Sequence, residues 1–167
     1  MTEPQPPGPP AGAIPGIARA LAFMGGASLL VGALVTTVSV LLRWTTDQPI
    51  RGDFEIVSIA SGLGVIGFIA YGTLMRTNIL VDSFTTWLPA RMNGWIDAFW
   101  MLVWAALGLW IAERLLLGSL DTWRSGTRTI GLLAIPYWWA VGIGGLCFAA
   151  TALAALWWVP RLLRGGR

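Results

Sequence analysis

IARALAFMGGASLLVGALVTTVSVLL, residues 17–42, is an apolar run with a single charge, Arg19, and it is closed by Arg43. About 20 such residues carry an α-helix across a hydrocarbon core roughly 30 Å thick. Lipid offers the backbone no hydrogen-bond partner, so a run of this kind crosses a membrane as a helix. Arg19 and Arg43 can lay their stems along apolar surface and reach opposite headgroup layers. The run is too long for the apolar part of a secretory leader, and Arg19 is the one positive charge at its start.

Upstream, MTEPQPPGPPAGAIPG (1–16) is rich in Pro, Gly and Ala and is expected to be a disordered tail. Downstream, WTTDQPIRGD (44–53) is a short polar turn punctuated by Pro49 and Gly52. Three more apolar runs follow, over about 54–75, 95–117 and 135–158. Pro136 stands where proline suits a helix's first turn. Trp138 and Trp139 suit one interface of the fourth run and Trp157 and Trp158 the other. Residues 118–133 form the longest polar connection, and 159–167 form a basic tail with Arg161, Arg164 and Arg167. Between the second and third runs, Leu80, Phe84, Trp87 and Leu88 fall on one helical face, with Asp82 elsewhere. A short helix lying in the interface over about 79–90 fits this pattern, and an amphipathic loop packed on the bundle fits it too. The expected fold is an all-α integral membrane protein with four transmembrane helices plus a short interfacial amphipathic helix.

Composition narrows the function. Of 167 residues, 56% are hydrophobic and 11% charged, against about 25% charged in a soluble domain. All eleven basic residues are arginine, and with eight acids the net charge is +3. The arginines stand singly at the ends of apolar runs, which suits headgroup anchoring in a lipid bilayer and not nucleic-acid binding. There is no histidine, and the one cysteine, Cys147, lies in an apolar run and reads as a small buried residue. That removes most metal sites, haem ligation by histidine, Cys/His nucleophilic catalysis and any intrachain disulfide. No catalytic site, metal or cofactor is expected.

Gly62, Gly64 and Gly67 spell G-x-G-x-x-G, but inside a run of membrane length. A dinucleotide fingerprint needs a strand before it and a helix N-terminus at the phosphates. Packing is the physical use here: Ser58 with Gly62, and Ala60 with Gly64, are small residues four apart. No acid lies clearly mid-span. Asp53 and Glu55 open the second run and Asp97 the third, where acids complement the helix dipole or pair with arginine on a partner subunit. Glu113, beside Arg114, lies near the end of the third run, close enough to the boundary for hydration.

In order, Leu42-Arg43-Trp44, Pro49, Asp53 and Glu55, Arg76, Asn78-Ile79-Leu80-Val81-Asp82, Trp87-Leu88-Pro89 and Ala134-Ile135-Pro136-Tyr137-Trp138-Trp139, with Gly142 and Gly145 after, form a pattern. It resembles the DctQ-like small membrane subunit of tripartite ATP-independent periplasmic (TRAP) transporters over roughly residues 20–158. Thr77-Asn78 stands where that family often has Gly-His, and Phe54 separates two acids that are often adjacent in it. The resemblance implies four membrane helices with both termini cytoplasmic, in the cell inner membrane. It implies a large TRAP membrane subunit as partner, which carries the substrate and ion sites. A periplasmic substrate-binding protein would deliver a small organic acid, and loops 44–53 and 118–133 would face it. Arg43, Asp53, Glu55, Gly62, Arg76, Asp82, Trp87 and Pro136 are then the candidate structural or subunit-interface residues.

Charge alone does not fix the orientation. Six arginines lie on the side of the termini and five on the other, and the three-arginine C-terminus favours cytoplasmic termini. The rival reading is an independent four-helix membrane protein, a small channel or an assembly factor. A small membrane enzyme is disfavoured by the missing histidine and buried acid pair.

Overall fold

Four helices follow one another along the chain: α1 (Ala13–Thr46), α2 (Asp53–Leu74), α3 (Ala90–Ser125) and α4 (Trp138–Leu163). They are seen in a computed structural model that describes residues 12–76 and 90–164. Each is long and apolar enough to cross a membrane, and the one β feature among the described residues is an isolated bridge between Arg128 and Pro136. The chain is therefore an all-α, four-spanning membrane protein. The interfacial helix expected over 79–90 lies outside the described residues as far as 89, and at Ala90 α3 begins.

Hydropathy marks the thickness of the bilayer, whereas a helix ends where its backbone pairing ends. α1 has 34 residues and α3 has 36, or about 50 Å and 54 Å at 1.5 Å per residue, so both outrun the hydrocarbon core. α1 takes in residues 13–16 of the expected tail and stops where Asp47 turns left-handed and donates its N–H to the Arg43 carbonyl. α3 absorbs 118–125 of the expected loop, so Glu113 lies well before its end at Ser125. α4 starts at Trp138, and Pro136 precedes it rather than opening it. The reason is that Thr129 N–H is bonded to the Ile135 carbonyl and Tyr137 N–H to the Thr127 carbonyl, which commits this segment to a small hairpin. α4 then runs through Pro160 and Arg161 to Leu163, so the expected basic tail is helical as far as 163.

In lipid no hydrophobic drive pulls helices together, so close van der Waals packing must. The buried residues of α1 show how. Ala18, Gly25, Gly32 and Ser39 recur every seven positions, the spacing of a left-handed helix crossing. The approach is backbone to backbone. A Cβ on Gly25 would stand 2.9 Å from the Gly64 carbonyl oxygen, and one on Gly67 would stand 2.8 Å from that of Leu21. α3 repeats the device with Ala98, Ala105, Ala112 and Ser119, all buried, and Gly108 meets Ala152 of α4. α1 and α2 run antiparallel, as do α3 and α4.

α4 is the central helix and touches the other three. It runs parallel to α2, with Gly144 near Ile66 and Ala150 and Ala154 in one cluster with Ala70, Leu74 and Ala18. Among the described residues, the backbones of α2 and α3 do not come within 8 Å, Cα to Cα. This topology places 44–53 and 126–137 at one end of the bundle, here the loop end. The α2 C-terminus and the α3 N-terminus lie at the other.

Candidate functional site

Polar side chains gather at the two ends of α2. At the loop end, Gly52 enters the helix with φ +76°, a left-handed conformation that glycine adopts without strain. A Cβ there would also collide with Leu133. Asp53 and Glu55 occupy the first turn, where carboxylates complement the helix dipole. Asp53 accepts the Ser39 hydroxyl on Oδ2 at 2.5 Å and the Phe54 N–H on Oδ1 at 2.7 Å. Ser39 in turn accepts the Ile50 N–H at 3.3 Å, so one buried serine joins α1, the first loop and α2.

Glu55 is buried and reaches across to the hairpin before α4. Its Oε2 accepts the Thr129 hydroxyl, and its Oε1 accepts the Leu133 N–H at 2.9 Å. Thr129 Oγ1 accepts the Ile135 N–H at 2.9 Å, which extends the network along the loop. Gly131 packs so closely on the carboxylate that any Cβ there would overlap it. A buried carboxylate needs such donors, because taking it out of water unpaired is costly. Here they come from residues more than seventy positions away in the chain. Pro136 sits within the same hairpin, bridged to Arg128.

At the opposite end, Arg76 follows α2 with φ +54° and places Nη2 2.6 Å from Asp97 Oδ2 on α3. Its guanidinium also lies 5.6 Å from the centre of the Trp158 ring on α4, within cation–π range. Trp158 Nε1–H donates to the Leu74 carbonyl at 2.9 Å and so caps an open backbone acceptor at the end of α2. At the preceding residue, Trp104 Nε1–H donates to Thr73 Oγ1 at 3.1 Å. The Arg76–Asp97 and Trp104–Thr73 bonds tie the end of α2 to α3, and the Trp158 bond ties it to α4. A double-mutant cycle with Arg76→Gln and Asp97→Asn, read by thermal unfolding in detergent, should give a coupling of about 1 kcal/mol for a half-buried pair. Additive losses would show that the pair contributes nothing to stability.

The other sequence candidates fall elsewhere. Arg43 is exposed in the last turn of α1, where a cation suits the dipole. Gly62 is exposed, and a Cβ on it would meet nothing within 4 Å; Gly64 and Gly67 make the contacts with α1. Asp82 and Trp87 lie outside the described residues. Ser39, Thr129, Gly131 and Leu133 carry the network without having been singled out in sequence, and Trp158 reads there only as an interface residue. Nothing in their local pattern marks them, because each acts on a partner far along the chain.

A cavity of about 190 Å³ lies between α1, α2 and the start of α4, lined by Ser28, Ile59, Leu63, Ile135 and Trp139 among others. Its lining is mainly apolar, and the Ser28 hydroxyl is engaged by the Ala60 carbonyl at 2.9 Å. The polar groups described above join helices and loop.

A family model described as "Tripartite ATP-independent periplasmic transporters, DctQ component" matches residues 32–165. That span takes in the C-terminal part of α1 and all of α2, α3 and α4. No curated protein and no solved structure matches the chain.

Proposed function

Because the chain belongs to the DctQ component family of tripartite ATP-independent periplasmic transporters, we propose that this small membrane subunit is a non-catalytic scaffold. It pairs with the large membrane subunit for ion-driven uptake of a small organic acid. One observation carries this reading. Each buried polar side chain among the described residues, Ser39, Glu55, Thr73, Ser119 and Thr151, is hydrogen-bonded inside the fold. None of these five is left to line a path for an ion or solute, whereas a transport pathway through the bilayer needs such groups. The bundle is instead built to hold its shape, with backbone-close packing in the middle and polar braces at both ends of α2. A body of this kind gives a moving transport domain something fixed to move against.

In this reading the termini are cytoplasmic, in the cell inner membrane, and the loop end faces the periplasm. Loop 44–53 and residues 118–133, which are the end of α3 and the hairpin held by Glu55, are then the surface offered to the periplasmic substrate-binding protein. Deleting this subunit should abolish uptake of the solute while ligand binding by the periplasmic protein persists. Solute uptake at the wild-type rate in the deletion strain would overturn the proposal. Ion conductance from the purified subunit alone in liposomes would favour an independent channel.

A further inference from the structure

The outer face of α3 carries a charge at a depth where lipid is a poor neighbour. Gly145 of α4 packs against Ala112 and Leu116, and the Ser119 hydroxyl donates to the Trp138 carbonyl at the start of α4 at 2.7 Å. This register sets Glu113 level with Gly145, seven residues inside α4, which is about 10 Å below the Trp138 level at 1.5 Å per residue. That is farther than a glutamate side chain reaches, so with Trp138 at the interface Glu113 lies below the hydrated boundary. It is exposed, and no hydrogen bond or ion pair joins it to any described residue.

The other acids of the described helices and loops are accounted for. Asp53, Glu55 and Asp97 are bonded within the fold. Asp47 and Asp121 lie beyond the N-termini of α2 and α4. Arg114 does not neutralise Glu113, because adjacent residues on a helix point different ways. Glu113 instead shares a stripe with Phe99, Leu102, Ala106, Leu109, Leu117 and Leu120, spaced three and four apart and all exposed. Charged side chains inside a span are costly against lipid and face protein or a water-filled cavity. A single polar group in an apolar seam is also the device that fixes helix register.

We propose that this stripe of α3 seats a transmembrane helix of the large subunit, which places an arginine or lysine opposite Glu113. The proposal rests on the small-subunit reading above and adds the face and the chemistry of the contact. Charge complementarity selects the occupant: an apolar helix without a cation, or lipid, would leave the carboxylate unpaired.

The test is site-specific photo-crosslinking in native membranes, with the probe at 106 or 109 on the stripe and at 34 on the exposed face of α1. Crosslinks from 106 and 109 to the large subunit are expected. Glu113→Gln should lower the large subunit recovered with the tagged protein by about tenfold, as loss of one member of a buried charge pair does. Its own unfolding temperature should not change, since Glu113 bonds nothing within the fold. Crosslinks from 34 but not from 106 or 109 would overturn the assignment of the face and leave the small-subunit reading standing. Crosslinks from 106 and 109 to lipid or to a second copy only, with the large subunit still recovered, would do the same. Unchanged recovery with Glu113→Gln would overturn the charge pairing. Absence of any large partner from wild-type membranes would overturn the functional reading itself.

Discussion

Gly67→Val should lower the unfolding temperature of the detergent-purified protein by roughly 10 °C, and Gly62→Val should leave it almost unchanged. Both glycines belong to the same G-x-G-x-x-G run in α2, and both changes add the same side chain to the same helix. The surroundings differ. A Cβ at 67 comes 2.8 Å from the Leu21 carbonyl oxygen and 3.2 Å from Gly25 Cα. Both are backbone atoms of α1, so no rotamer change can relieve the contact. The helices must separate, and the seam built on Ala18, Gly25, Gly32 and Ser39 opens along its length. Forcing extra volume into a close-packed contact costs about 1–3 kcal/mol, and more where backbone must move. At 62 a Cβ meets nothing within 4 Å among the described residues. Equal losses at the two positions would mean that α2 presents a different face to α1.

The second large effect is local. Glu55→Leu removes the acceptors of the Thr129 hydroxyl and the Leu133 N–H. The hairpin then keeps its backbone pairs within 127–137 but loses its attachment to α2. Hydrogen exchange at Leu133 should accelerate by more than about tenfold, since local opening then needs no break in the α2 contact. Amides in the middle of α2 and α4 should exchange as before. Glu55→Gln keeps one carbonyl acceptor and should fall between the two. In the assembled transporter, Glu55→Leu should also weaken capture of the binding protein if the braced hairpin forms part of that surface. Unaltered exchange at Leu133 would mean that the loop is held by something other than this carboxylate.

The number and order of the helices were legible because four runs of membrane length can hardly do anything else in lipid. Their ends were less so. Gly118–Ser125 is polar enough to read as loop, yet it continues α3, because a helix in water beyond the headgroups still satisfies its own backbone. Pro136 has the right chemistry to open α4, but the hairpin that precedes Trp138 takes it first. Small-residue spacing marked α2 as a packing helix without saying which small pair faces inward: Ala60 and Gly64 meet α1, while Ser58 and Gly62 point away.

The braces show the same limit. Glu55 in a first turn reads as a complement to the helix dipole, and its partners Thr129 and Leu133 are visible only once the chain is folded. Arg76 and Asp97 both stood at helix ends, but their pairing needs the α2 C-terminus and the α3 N-terminus at the same level, which α4 arranges by packing on both. Depth has the same origin. Hydropathy places Glu113 near the end of a run, and only the α3–α4 register sets it level with Gly145, seven residues into α4.

The central claim is that this bundle is a scaffold that acts through a larger membrane partner. Its most direct test is purification of the tagged protein from its own host in mild detergent, with co-purifying chains identified by mass spectrometry. A large polytopic subunit at about equal stoichiometry is the predicted result. A lone protein, with no such partner even after crosslinking in the membrane, would contradict the claim and leave an independent four-helix membrane protein with a DctQ-like fold.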